Sequence, residues 1–444
     1  MRSLRPALTA ALVLWLALPA AAQKIKFKKS PAPAVPAAPA NPEEAKRSMF
    51  DAACGPDIDL EAQYGMRDRI PDLASQWNQE WVNDCWAYTG CMGVEYYQAA
   101  HKQEGNQYNR CDPAMTAVAV KLGQDGTLFD KYDSSGNRTT QFVAADSFES
   151  FPERLKKSRF PVQKGVEELC RERGCYCARP TDTEVSGPQM LAAYYKAQEI
   201  VMKHFKRALL QNAGNGGYGA DEYGIARRLA LELDTAGLPD IIRSALDDDT
   251  LRRLTRQALR PAAPGARPFD NRAFSEVILK QSCNPVPFPA SRVETAPVSM
   301  DDKAREDTRR DPLSHRKTLG QLFAYTKIKL EAGRPVMIGF CSALFAYQDP
   351  LDRTRGDYVG TEVYGPPSPK TTNSSSAGGG NGCDSHGVII IGRKKINGRC
   401  YLGIRNSWGK FDAKNPEIWT GSPGTLWIPA YLLLQNTFSA GTYE

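Results

Sequence analysis

From residue 387 to residue 392 the chain is an unbroken apolar run rich in β-branched residues. Val388-Ile389-Ile390-Ile391 lies between Gly387 and Gly392, Asn397-Gly398 follows, and Cys400 to Arg405 closes the segment. This order predicts a buried strand, a tight two-residue turn and a return strand. A turn centred on Asn397-Gly398 sets residue 386 across from about 409 and brings Asn406 back beside His386. Elsewhere the period is helical. After Cys85, residues Ala87, Cys91, Val94 and Tyr97 or Gln98 recur at three- and four-residue spacings, and further helices are predicted over Met190–Leu210, Asp221–Thr235 and Pro239–Leu259. Residues 113–185 mix short apolar runs with turn signals, and Pro261 to Pro268 is a Pro/Ala/Gly break. The pattern predicts an α+β protein.

The amino terminus has a different character. Arg2 and Arg5 precede an apolar run, Ala7 to Leu18, which is followed by Pro19 and Ala20-Ala21-Ala22. That is the layout of a secretory signal over residues 1–22, and the run is too short to span a membrane well. Residues 23–48 read as a basic patch and a Pro/Ala-rich spacer. The expected compartment is therefore periplasmic or extracellular, with no stable membrane insertion after cleavage. Across all 444 residues the net charge is +7. Two of those charges sit at Arg2 and Arg5 and a net four in residues 23–48, leaving about +1 for the body of the chain. So small an excess gives no footprint for a phosphate backbone, and no nucleic acid is expected as a partner.

Export changes how the 11 cysteines are read: disulfides become the default, and the odd count leaves at least one thiol over. With one cysteine reserved for chemistry, ten remain for up to five bridges. The cluster Cys170, Cys175, Cys177 favours disulfides over zinc, because no histidine and no evident fourth ligand lie nearby. No metal and no cofactor are expected.

Cys85 stands out among the thiols. Asp84 is a plausible N-cap, which puts Cys85 in the first turn of its helix, where free backbone N–H groups and the macrodipole favour a thiolate. A buried structural cysteine is the alternative. A nucleophile needs a base, and the chain has four histidines. His101 lies near the far end of the same helix, His204 on a basic amphipathic helix, and His315 in the charge-rich stretch Asp301 to Lys317. His386 opens the apolar strand, where Asn406 is placed to hold its imidazole in one tautomer. The alternative is a histidine at a strand edge beside a chance asparagine. Gly378-Gly379-Gly380 reads as a flexible loop leading to His386, without the context or lysine of a phosphate loop.

Three segments carry a resemblance. Gln79 six residues before Cys85 with Cys85-Trp86-Ala87-Tyr88, the stretch Glu331 to Phe340 with its Gly-x-Pro-Val pattern, and Ser385-His386-Gly387 with Asn406-Ser407-Trp408-Gly409 resemble, in that order, the site segments of the papain/cathepsin cysteine peptidases. The resemblance implies a two-lobe fold, a helical lobe led by the Cys85 helix and a β-rich lobe carrying His386 and Asn406. It implies Cys85 as nucleophile, His386 as base and acid, Asn406 as orienter, Gln79 as oxyanion donor and Trp408 as a cover over the His–Asn bond. Ser385 and Trp408 would adjoin the substrate, and a protein or peptide would be the partner.

The same family often bridges a cysteine three residues before the nucleophile to a Gly-Cys-x-Gly-Gly loop. Here Val82 and the candidate loop Ala213 to Tyr218 lack both halves of that bridge; if the loop is the family's, Gly216 and Gly217 lie along the cleft, and the alternative is a Gly-rich connection between two helices. Cys85 and His386 are 301 residues apart, so the resemblance covers about a third of the chain. The domains expected are 49–112 for the start of the papain-like domain, 113–205 for an insertion, and 206–444 for the remainder, with further inserted helices. Val82-Asn83-Asp84 replaces the usual residues before the nucleophile, and no inhibitory pro-domain is visible. The function implied is a secreted cysteine peptidase, an enzyme. The alternatives are a catalytically silent binding protein of the same fold, or an amidase or transpeptidase acting on cell-wall peptides.

Overall fold

The computed structural model describes residues 42–70, 85–101, 109–124, 151–158, 160, 166–178, 187–214, 221–259, 271–296, 312–345, 385–409 and 417–444. The expected signal (1–22) and most of the spacer lie outside them, as do Gln79, Val82, Asp84, Gly216, Gly217 and the loop 378–380. Helix α1 covers Pro42–Ala53, so the end of the segment read as spacer is helical. Residues from Lys46 to Glu444 form one compact unit.

After α1 come a short strand β1 (Ile58–Asp59) and two single turns, α2 (Leu60–Gln63) and α3 (Met66–Arg69). Helix α4 is Cys85–Ala100. A helical region follows, with α5 (Pro113–Gln124), α6 (Phe151–Lys157), α7 (Glu167–Arg173), strand β2 (Cys175–Ala178), α8 (Gly187–Gly214), α9 (Glu222–Thr235), α10 (Asp240–Ala245), α11 (Asp248–Leu259), α12 (Asn271–Ser282) and β3 (Asn284–Pro287). The rest is β4 (Val293–Thr295), α13 (Pro312–Glu331), β5 (Val336–Cys341), β6 (Ser385–Ile396), β7 (Arg399–Arg405), β8 (Trp419–Thr420), β9 (Thr425–Pro429), α14 (Ala430–Gln435) and β10 (Thr437–Tyr443).

Eight of the described strands make one antiparallel sheet in the order β4-β10-β5-β6-β7-β9-β8, with β1 added against β6; β2 and β3 pair separately. Helices and antiparallel sheet share one buried core, an α+β arrangement. The hairpin β6–β7 turns at Asn397 and Gly398, both with positive φ (51° and 80°), the backbone that a type I′ turn requires. Its register pairs Ile396 with Arg399 and Ile389 with Arg405, with an irregularity between Ile390 and Gly392. That bulge moves the pairing by one residue, and the paired ladder ends at Arg405, just before Asn406.

Two helical expectations are revised. The segment Pro239–Leu259 is two helices, because Leu246 leaves helical geometry and Asp247 caps the second one, its Oδ1 accepting from the Thr250 N–H at 2.8 Å. His315 lies on α13, not in a loop. The mixed stretch 113–185 holds α5, α6, α7 and β2. Asp112 caps α5 through the Met115 N–H at 3.0 Å, with Pro113 at the first helical position. Gly214 is the last residue of α8, so the Gly-rich segment begins at a helix end.

Among the described residues four disulfides join Cys54–Cys400, Cys91–Cys111, Cys170–Cys175 and Cys177–Cys283, with Cα separations of 4.9–5.5 Å. All three cysteines of the 170–177 cluster are thus in bridges. No helix among the described residues is long and apolar enough to cross a membrane.

Candidate active site

Helix α4 begins at Cys85, whose half-buried side chain belongs to none of the four disulfides. From Trp86 onward the helix is enclosed: 13 of its 16 residues are buried. The surface periodicity that predicts it therefore understates its setting, since a helix covered on all sides is a core helix. Trp86 packs against Phe151 of α6, and the Arg154 guanidinium lies 5.0 Å over its ring. Burial pulls the Arg154 pKa below its ordinary value.

The first turn of α4 rests on β6 at Gly387. A Cβ at that position would lie 2.7 Å from Thr89 Oγ1 and 3.5 Å from the Cys85 carbonyl oxygen. Only a residue without a side chain lets the strand approach the helix this closely. The backbone of the residue after His386 is thereby in contact with the thiol-bearing turn.

His386 is 4% exposed and pairs across β5 with Phe340. Its Nε2 is 2.8 Å from Asn406 Oδ1, and the Ser407 N–H donates to the same oxygen at 2.9 Å. An amide oxygen that already accepts from a backbone N–H accepts from the ring as well, so the assigned tautomer carries its proton on Nε2 and a lone pair on Nδ1. The imidazole stacks on Trp408 with centroids 4.3 Å apart and planes at 28°. Phe345 meets Trp408 edge-on at 5.4 Å, and Phe340 lies 5.7 Å from the imidazole. This aromatic surround strips water from the ring. Burial pulls the His386 pKa from its ordinary 6.5 to about 4, while the Asn406 bond works in the other direction.

The remaining histidines are placed differently. His101 follows the end of α4 and is exposed, its Nδ1 2.8 Å from the Tyr97 carbonyl oxygen. His204 of α8 lies 2.7 Å from Glu232 Oε2. Ser385 opens β6 opposite Cys341. The structure thus brings His386, Asn406 and Trp408 together, and Gly387 next to them touches the Cys85 turn; the expected roles of Gln79, Gly216 and Gly217 fall on residues outside those described. Among the described residues no group of three or more His, Cys, Asp or Glu side chains forms a metal cage.

Sequence reasoning passed over Thr89, Phe340, Phe345 and a buried polar group, Glu61–Tyr96–Arg405. The glycine directly after His386 was a usable signal for the close helix–strand contact. An arginine ending the apolar strand Cys400 to Arg405 was a signal for a buried counter-charge. Nothing local pointed to Glu61 as that partner. No protein-family model matches the chain, and no curated protein matches it. The chemistry therefore has to be argued from the site itself.

Proposed function

We propose that the protein is an exported papain-like cysteine peptidase, with the helices around α4 as one lobe and the sheet carrying His386 and Asn406 as the other. The observation that carries this reading is the His386 Nε2–Asn406 Oδ1 bond beside a helix whose first residue is Cys85. It leaves the Nδ1 lone pair for the thiol proton. In the reaction, Nδ1 takes the proton from Cys85 and the thiolate attacks the scissile carbonyl carbon. Gln79 and the Cys85 N–H donate to the resulting oxyanion, as the family resemblance implies. The imidazolium then protonates the leaving amine, and a thioester remains. Water, deprotonated by the same imidazole, hydrolyses the thioester and restores the thiol. Asn406 holds the ring and Trp408 shields the ring's bond to it from water, while the family resemblance implies Gly216 and Gly217 as the residues along the cleft for an extended peptide. The four disulfides support maturation in an oxidising compartment.

The burial of His386 favours a second reading, a binding protein that has the site without turnover, because a catalytic imidazole needs an edge open to the substrate. Labelling separates the two. An epoxide or vinyl-sulfone probe for thiol peptidases should modify wild-type protein at Cys85 and leave Cys85→Ala unmodified. Absence of labelling on folded wild-type protein favours the silent reading. Labelling with hydrolysis of cell-wall amides but not of peptides would assign an amidase.

A further inference from the structure

We infer that Glu61 is a positioning residue for the Cys85–His386 pair, its carboxylate tying the helix that carries the thiol to the strand that carries Asn406. The inference rests on the peptidase-type site proposed above.

Three polar side chains meet in the core with almost no solvent contact: Glu61 at 0%, Tyr96 at 1% and Arg405 at 1% exposure. The Tyr96 hydroxyl donates to Glu61 Oε1 at 2.9 Å, and Arg405 Nε donates to the same oxygen at 2.6 Å, with Arg405 Nη2 also paired to it. Arg67 reaches Oε2 at 3.3 Å, and Thr425 Oγ1 approaches it at 3.5 Å. Burial and the neighbouring Glu61 charge raise the Tyr96 pKa well above its ordinary value, so the phenol stays a donor.

Each member sits on a different part of the site's frame. Tyr96 is on α4, three turns or roughly 16 Å along a rigid helix from Cys85. Arg405 ends β7 immediately before Asn406. Its Nη1 also bonds the Pro423 carbonyl, while the Asn406 N–H donates to Gly424 O at 3.1 Å, so the backbone of the orienting residue is held from the same side. Glu61 lies on α2, which β1 fixes to β6 at Arg393 and Gly392. A buried ion pair of this kind adds little stability over an apolar trio of the same volume. It defines one relative placement of helix and strand, because a carboxylate accepts these donors in few geometries.

The test follows Cys85 itself. Iodoacetamide alkylation of the Cys85 peptide is measured by mass spectrometry against pH, with kcat, KM and Tm on a peptide substrate. Tyr96→Phe removes one hydroxyl and keeps the ring. Glu61→Gln keeps the shape and removes the charge facing Arg405. In wild type the alkylation midpoint should lie below the ordinary thiol value of about 8.5. In both variants it should rise by about one unit, with kcat down about tenfold and KM within about twofold, as expected when an interaction specific to the reacting geometry is lost. If Glu61→Gln does not fold, Tyr96→Phe alone decides. A wild-type midpoint and kcat in Tyr96→Phe, whatever its Tm, overturn the inference and leave the group a structural clamp. A depressed wild-type midpoint without peptide hydrolysis, raised by the variants, supports positioning while removing the peptidase reading. A wild-type midpoint near the ordinary value overturns both.

Discussion

Helices α4 and α11 solve the same packing problem in opposite ways. Helix α11 buries Leu251, Leu254, Thr255 and Ala258, a single stripe at three- and four-residue spacing, and presents Arg252 and Arg256 to solvent. Its apolar stripe is enough to dock it, and its polar side chains pair at the surface, Arg256 with Glu222 of α9 at 2.8 Å and Arg252 with Asp249 at 3.6 Å. Helix α4 is enclosed, and its polar side chains have to find partners in the core: Tyr96 on Glu61, Gln98 on the Asn109 backbone, Glu95 on the Cys111 N–H at 3.0 Å. A docked surface helix tolerates small shifts. An enclosed helix held through Tyr96, Gln98 and Glu95 in one arrangement does not, and that is the property a helix bearing a nucleophile needs.

The comparison is sharpest when broken at the site. Cys85→Ala and His386→Ala should each lower peptide turnover by a factor of about 10⁴ or more with the fold retained, and Asn406→Ala by less, as checked by kcat on a peptide substrate. In the α11 region the effect moves to stability. Leu254→Ala empties a site that is 1% exposed and should cost about 2–4 kcal/mol in urea denaturation, with kcat unchanged below the unfolding transition.

Acidity probes the buried ring. The folded-state pKa of His386 is depressed from 6.5 to about 4, so below 6.5 the unfolded chain binds the proton that the folded chain excludes. The stability this represents is complete above pH 6.5 and is lost as the pH falls towards 4, amounting to up to about 3 kcal/mol. His386→Gln should flatten the dependence over that window, as read from denaturation midpoints between pH 4 and 7. The smallest effect expected is at the helix–strand contact. Gly387→Ala puts a methyl 2.7 Å from Thr89 Oγ1 and should cost about 1–3 kcal/mol while weakening probe labelling of Cys85. Unchanged labelling would show that the spacing between α4 and β6 is not what the thiol depends on.

Much of this protein was legible because the deciding physics is local. Asn397-Gly398 accepts the positive φ of a hairpin turn wherever it occurs, β-branched runs favour strands, and a stripe of four residues is enough to dock α11. These forces act within a few residues, so the sequence alone determined the β6–β7 hairpin, the return of Asn406 to His386 and the helix after Cys85. Tertiary structure decided what depends on distant neighbours. Glu61 meets Arg405 across 344 residues and Cys54 meets Cys400 across 346, pairings that no periodicity encodes. The enclosure of α4 and the low pKa of His386 are of the same kind, because both follow from how many other elements close over a residue. The break at Leu246–Asp247 was local and still missed, since an aspartate inside a helical pattern reads as surface charge until its side chain is seen capping the next helix. Periodicity records which face of an element is apolar; only the assembled core determines which buried polar groups meet there.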